Sequence, residues 1–167
     1  MSKEASRIWN VLFLCTGNSA RSLLAEMALA RLGGRRFSAF SAGSQPKKAP
    51  HPVTLTTLTR LGYDISGLRS KSWDEFSGDD APRIDLVLTV CGNAAGETCP
   101  VWSGKPVVGH WGVKDPAAFV GSPEAQADFF EKIHDELVGK IETLVAIDPS
   151  KLSREELTER IREIGEG

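Results

Sequence analysis

Cysteine is scarce in this chain, with three residues among 167. Cys15, Cys91 and Cys99 are an odd number, and the first residues lack the pattern of a cleaved signal peptide, so a framework of structural disulfides is not expected. The three thiols also lack the fourth ligand of a zinc site unless His110 supplies it, and we expect no bound metal. In a reducing cytoplasm, where we place the protein, such cysteines are buried, catalytic or redox-active.

Long apolar runs and an excess of one charge are also absent. No stretch approaches the roughly 18 apolar residues of a membrane span. The formal net charge of −2 gives no reason to expect nucleic acid or an anionic membrane as a partner. A hydrophobic fraction of 41% in 167 residues is typical of an ordinary soluble domain with one core. An anionic substrate would therefore have to be attracted by a local site.

Short apolar segments alternate along the chain with longer segments of helical composition. Strands are predicted at 8–14, 37–42, 84–90 and 106–111, and helices at 22–32, 53–61 and 123–145, with a short amphipathic helix after Ser153. This alternation predicts an α/β fold, in which a parallel sheet is covered by helices on both faces. Ligands of such sheets bind beyond the carboxyl ends of the strands.

The segment between the first strand and the first helix, residues 15–22, has the composition of an anion-binding loop. A loop that enters a helix presents unpaired backbone N–H groups and the positive end of the helix dipole. Gly17 and Asn18 tolerate the unusual φ angles of a tight loop, and Arg21 can hold two oxygens of an anion. In the same positive field the thiolate of Cys15 is favoured, which makes it a candidate nucleophile.

The run Cys15-Thr16-Gly17-Asn18-Ser19-Ala20-Arg21-Ser22 resembles the signature loop of the low-molecular-weight protein tyrosine phosphatases and of the arsenate reductases that share their fold. The resemblance extends over about residues 8–147 and implies a three-layer α/β sandwich with a four-stranded parallel sheet. It implies that an arsenate- or phosphate-type oxyanion is bound by the loop residues Thr16, Gly17, Asn18, Ser19, Ala20 and Arg21. Ser22 is expected to stabilise the sulfur, and Asp115, in an Asp-Pro pair, to act as the general acid.

Cys91 and Cys99 favour a reductase over a phosphatase. A phosphatase resolves its covalent intermediate with water, whereas a reductase must deliver two electrons to arsenic. The resemblance to thioredoxin-coupled arsenate reductases implies that Cys91 attacks Cys15, that Cys99 then attacks Cys91, and that a redox-active Cys91–Cys99 disulfide results. Tyrosine phosphatases of this family usually carry tyrosines after the Asp-Pro pair, but the only tyrosine here is Tyr63.

A disulfide between Cys91 and Cys99 sets a geometric condition. If residues 91–99 were helical, their ends would lie about 12 Å apart, whereas a disulfide needs Cα atoms within about 7 Å. The segment must therefore loop or unwind on oxidation, which Gly92 and Gly96 favour.

The electron donor stays open at this stage. Thioredoxin fits the cysteine spacing, while glutaredoxin with glutathione or a mycothiol-type donor remains an alternative, and no bound cofactor is expected. Two other functions remain open, hydrolysis of phosphomonoesters and non-catalytic sensing of an oxyanion or of redox state.

Two further positions are expected to support the loop. Some reductases of this kind bind potassium through an Asn, a Ser and an Asp; Asn18 and Ser41 match the first two, but Lys71 stands in the region of the Asp. We expect the Lys71 ammonium to replace the metal ion. Residues 1–148 are expected to form the domain and residues 149–167 a helical extension, which either folds back or contacts a second copy, so that the protein is a monomer or a homodimer.

Overall fold

Four parallel strands form one sheet in the order β2-β1-β3-β4. The computed structural model describes residues 7–91 and 105–167. The strands are β1 Trp9–Leu14, β2 Phe37–Ala42, β3 Leu86–Thr89 and β4 Val107–His110. The expected α/β fold with a four-stranded parallel sheet is confirmed.

The described helices begin and end near the predicted positions. They are α1 Arg21–Leu32, α2 Pro52–Arg60, α3 Pro123–Val145 and α4 Arg154–Glu166, with 3₁₀ turns at Trp73–Phe76, Pro116–Ala118 and Pro149–Lys151. Side-chain caps fix three of the starts. His51 accepts from the backbone of Val53 in α2, Ser122 accepts from the backbone of the first turn of α3, and Ser153 forms the predicted capping box of α4. Within the described ranges, no helix is long and apolar enough to cross a membrane.

The central strands β1 and β3 are buried except at Asn10, which is half-buried. Val11, Leu12 and Phe13 of β1 are fully inaccessible, and all four residues of β3 are buried, as expected for parallel strands covered on both faces. The register pairs Leu14 with Thr89 at the carboxyl ends of β1 and β3. The segments that follow these two strands therefore leave the sheet side by side.

The C-terminal helix α4 folds back onto the sheet, which is one of the two placements expected for this segment; a contact with a second copy stays a prediction. It packs against β4 and α3. The fully buried Trp111, just after β4, donates its indole N–H to the carbonyl of Ile161 at 3.0 Å. The helix lies so close that a Cβ at Gly109 would be 2.3 Å from the Ile161 side chain. The division of the chain at residue 148 stays a prediction.

One histidine differs from what its sequence position indicates. From the sequence we expect His134 at the surface, but it is buried, with Nε2 2.8 Å from the hydroxyl of Tyr63. Its position within α3 turns it toward the core side of the helix, where a tyrosine distant in sequence supplies the polar partner. Such a partner is what makes burial of an imidazole tolerable.

Candidate active site

The loop from Cys15 to Ala20 connects the buried end of β1 to the start of α1. Cys15 is 5% exposed and lies at the mouth of the loop. The first turn of α1 has neither a capping side chain nor an acidic residue, unlike the capped starts of α3 and α4. The positive end of this helix thus faces the loop without a built-in anion.

Asn18 gives the loop its turn and ties it together from below. Its φ of 46° lies in the left-handed region, where Asn is among the residues best tolerated. Its side-chain N–H₂ donates to the hydroxyls of Ser22 at 2.7 Å and Ser41 at 3.0 Å, and its carbonyl accepts from the backbone N–H of Lys71 at 2.9 Å. The Asn18 side chain is therefore a strut beneath the loop and does not line the cavity above it.

The ammonium of Lys71 sits in an oxygen cage on the far side of this strut. It donates to the Ser41 hydroxyl at 3.2 Å and the Arg69 carbonyl at 3.0 Å, and it lies 3.5 Å from the Glu26 carboxylate. The Ser41 hydroxyl in turn donates to Glu26. Burial lowers the pKa of Lys71, and Glu26 opposes that shift. The structure thus brings Asn18, Ser41 and Lys71 together and adds Glu26.

Arg21 and Asp115 face each other across the mouth of the loop. The guanidinium lies 3.6 Å from the Asp115 carboxylate and donates to the carbonyl of Val113 at 3.3 Å. Among the described residues, the buried Nε of Arg21 has no hydrogen-bond partner, so one strong donor remains for a ligand. Asp115 accepts from the backbone of Ala117, which fixes one carboxylate oxygen and leaves a 40% exposed side chain at the cavity.

A cavity of about 770 Å³ opens above the loop. Its floor includes Cys15 and Arg21, and Asp115 forms part of one wall. The segment after β2 forms another wall, with Gln45, Lys47, Lys48 and His51. This wall adds positive charge to the site and was missed by the sequence analysis; a Lys-Lys pair just beyond the carboxyl end of β2 was the available signal.

Cys91 reaches the anion loop from the end of β3. Its sulfur lies 3.4 Å from the backbone nitrogen of Thr16 and 3.7 Å from the Thr16 hydroxyl. Its side chain also shares a hydrogen bond with Cys15, and neither sulfur is in a disulfide. The structure therefore brings these two sulfurs together. Cys99 lies outside the described residues.

The contact between the two thiols raises the pKa of Cys15, whereas the anion loop was expected to lower it. The hydrogen bond to Cys91 and burial raise the pKa of Cys15, while Arg21 and the backbone N–H of Gly17 lower it. Two thiols in contact share a proton, so ionisation of both at once is opposed. The loop alone favours a thiolate at Cys15, but burial and the contact with Cys91 favour the protonated Cys15 thiol in the ligand-free pair.

The acidic, histidine and cysteine side chains of residues 7–91 and 105–167 do not converge on a metal site. No group of three or more His, Cys, Asp and Glu side chains in these ranges is arranged to hold a metal ion. The described site brings the thiols of Cys15 and Cys91 close to the Asp115 carboxylate and the Arg21 guanidinium, an arrangement that suits nucleophilic attack on an oxyanion.

Residues 10–161 match the family profile described as low molecular weight phosphotyrosine protein phosphatase. The arsenate reductase of Bacillus subtilis (strain 168) is 34% identical over 131 residues, which are 78% of this chain and 91% of that protein. A solved arsenate reductase in the phosphate binding state superposes with a TM-score of 0.63 at 26% identity, covering 83% of this chain and 98% of the other. The thioredoxin-dependent arsenate reductase of Corynebacterium glutamicum gives a TM-score of 0.63 at 28% identity, covering 89% and 65%.

Proposed function

Since the chain belongs to the low molecular weight phosphotyrosine protein phosphatase family, we propose that it reduces arsenate to arsenite through its three cysteines, as a cytoplasmic detoxification enzyme. The observation that carries the proposal is the second thiol at the anion loop, where the sulfur of Cys91 is 3.4 Å from the backbone nitrogen of Thr16 and hydrogen-bonded to Cys15. Hydrolysis of a phosphoester has no use for a thiol there.

In the first step the loop binds arsenate, and Cys15 attacks the arsenic. The backbone N–H groups of residues 16–20 and the Arg21 guanidinium neutralise the anion. As Cys15 attacks, its thiol proton passes to an arsenate oxygen, which becomes a hydroxyl. Asp115, 3.6 Å from Arg21, gives a proton to that oxygen, so that water leaves and a Cys15 S–As bond forms.

In the second step Cys91 attacks the sulfur of Cys15. The S–As bond breaks, its electron pair stays on arsenic, and As(V) becomes As(III). Arsenite leaves and a Cys15–Cys91 disulfide remains, so two thiols have supplied the two electrons. The hydrogen bond between the two sulfurs supports this step, since attack requires contact between them.

In the third step Cys99 attacks Cys91, which frees Cys15 and leaves a Cys91–Cys99 disulfide. An external dithiol then reduces that disulfide. We propose thioredoxin as the donor, which the similarity to a thioredoxin-dependent enzyme supports; glutaredoxin with glutathione and a mycothiol-type donor are the alternatives that the assay must separate.

The oxygen cage around Lys71 supports the proposed role of Ser41 and Lys71 beneath the loop. Lys71 holds Asn18 both through its backbone N–H and, by way of Ser41, through its ammonium. A positive charge fixed among oxygens does what a bound monovalent cation would do there. We therefore propose that activity does not depend on potassium.

Hydrolysis of phosphomonoesters is the second candidate function. The 770 Å³ cavity favours it, because an inorganic oxyanion fills only part of that volume. Among residues 7–91 and 105–167, those that line the cavity include no Phe, Tyr or Trp to flank an aromatic ester, which favours the small ion instead.

Arsenate-dependent oxidation of NADPH, coupled through thioredoxin and its reductase, tests the proposed function. The wild type should turn over with arsenate and remain inactive with phosphate, and replacing either Cys91 or Cys99 by Ser should stop catalytic turnover. Substituting glutaredoxin and glutathione, or mycothiol, for thioredoxin identifies the donor. Steady hydrolysis of p-nitrophenyl phosphate that Cys91→Ser leaves unchanged, without arsenate reduction, would instead establish the phosphatase.

A further inference from the structure

The segment that follows β2 is hydrogen-bonded to the outer side of the anion loop. The backbone N–H of Gln45 donates to the carbonyl of Thr16, and that of Lys47 donates to the carbonyl of Gly17, each at 2.9 Å. These two carbonyls therefore point outward from the loop, toward the main chain of residues 45–47. The bonds join two segments about 30 positions apart in the sequence, and neither belongs to a helix or a strand.

A third carbonyl of the loop, that of Ser19, has two donors. The backbone N–H of His51 reaches it at 2.9 Å, and the hydroxyl of Thr54 reaches it at 2.8 Å. Thr54 lies in the first turns of α2 and is fully buried. Its hydroxyl is thus committed to a main-chain oxygen of the anion loop.

Because these carbonyls are held pointing outward, the N–H groups of the same peptide units are held pointing inward. In a trans peptide the C=O and the N–H of one unit point in opposite directions. The N–H of Gly17 shares its peptide with the Thr16 carbonyl, and it does point inward, where it hydrogen-bonds the sulfur of Cys15. By the same geometry, the carbonyls of Gly17 and Ser19 set the inward direction of the next two amides, those of Asn18 and Ala20.

Gly43 permits this close approach. A Cβ at Gly43 would lie 2.4 Å from the carbonyl oxygen of Thr16 and 2.7 Å from that of Cys15, both of them backbone atoms. Any side chain would push the segment away from the loop. Residues 43–54 are therefore shaped to lie against the loop, and we refer to them as the template segment.

We propose that the template segment presets the inward amides of the anion loop, and that Thr54 is a positioning residue for oxyanion binding. The inference deepens the proposed function, since it concerns the same anion site, but it makes a separate claim about which residues determine affinity. Thr54 does not line the cavity, and it acts only through the carbonyl of Ser19.

Two threonines on α2 provide a matched pair of variants. Thr54 and Thr57 are both buried, but the hydroxyl of Thr57 has no hydrogen-bond partner among the described residues. Valine keeps the shape of threonine and removes the hydroxyl. Thr54→Val should weaken anion binding by about fivefold, the effect of one hydrogen bond whose acceptor keeps a second donor. Thr57→Val should bind the anion as the wild type does.

Binding is measured by the protection that inorganic phosphate or arsenate gives Cys15 against iodoacetamide, with peptide mass spectrometry to distinguish Cys15 from the other thiols. Equal protection constants for Thr54→Val and the wild type would overturn the proposal. If the valine variant does not fold, Thr54→Ser and Thr54→Ala replace it: the serine, which keeps the hydroxyl, should bind about fivefold more tightly than the alanine. Failure of every oxyanion to protect the wild type would instead refute the proposed function.

Discussion

Replacing Lys71 by methionine should destabilise the protein by about 2–3 kcal/mol. Lys71 is 9% exposed, and methionine keeps most of its length while removing the charge. Removing one partner of a buried ion pair costs about 3–5 kcal/mol. Since 21% of the Glu26 side chain is exposed, water recovers part of that cost. Urea denaturation at pH 7 measures the difference, and Lys132→Met, on the exposed side of α3, is the control.

Removing the charge of Glu26 should restore part of the stability that Lys71→Met loses. Adding Glu26→Gln to Lys71→Met removes the unpaired carboxylate, so the double variant should be more stable than Lys71→Met alone. Burial lowers the pKa of Lys71 below its ordinary value of 10.5. Between the folded-state pKa and 10.5 the unfolded chain binds more protons at this position, so the stability of the wild type relative to Lys71→Met should rise with pH across that window.

The dependence of activity on monovalent cations is a second test of the oxygen cage around Lys71. The wild type should reduce arsenate at equal rates in sodium and potassium buffers. Lys71→Ala, which empties the space among Ser41, Glu26 and the Arg69 carbonyl, should be slower and should recover several-fold in ammonium or potassium but not in sodium. The reasoning is refuted if potassium activates the wild type several-fold, or if Lys71→Met is as stable as the wild type.

Three other substitutions test separate parts of the molecule. Cys91→Ala should lower the pKa of Cys15, because the hydrogen bond that most raises it is removed; the pH dependence of Cys15 alkylation measures this, and an unchanged profile contradicts it. Asp115→Asn should slow single-turnover arsenite formation by about 100-fold or more, and a loss below threefold would exclude general-acid catalysis by this residue. Gly109→Ala should cost about 1–3 kcal/mol through its clash with Ile161, and combining it with Ile161→Ala should cost less than the sum of the two single changes.

Local patterns were enough to predict most of the elements and the floor of the site. The 3.6-residue periodicity and the Ser-Pro start predict the bounds of α3, and the Cys-to-Arg loop identifies Cys15 and Arg21 as neighbours of a helix start. The apolar run before Cys91 predicts a strand beside β1, which is why this distant thiol could be expected near the loop. These features depend on residues that are close in sequence or on the general geometry of parallel sheets.

The contacts beneath and beside the loop could not be predicted in the same way. Glu26 looks like an ordinary solvated residue of α1, and only the folded chain shows that it faces Lys71, 45 positions later. Thr54 has the sequence context of any helical threonine, yet it bonds a loop carbonyl. The raised pKa of Cys15 likewise depends on the thiol of Cys91, which follows the end of β3. Each of these effects depends on a partner that is distant in sequence, and neither periodicity nor residue spacing predicts which residue that partner is.

The outward carbonyls of Thr16, Gly17 and Ser19 have a consequence for how this site should be dissected. The donors they orient belong to the main chain, so alanine substitutions in this loop would leave every one of these N–H groups in place, and where they alter binding, as at Asn18, they report the loss of a side chain and not of an amide. Replacing single amides of this stretch by esters, through chemical ligation of a synthetic N-terminal fragment, removes one N–H at a time. Such amide-to-ester replacements would rank the contribution of each N–H donor to anion binding, which side-chain substitutions cannot do.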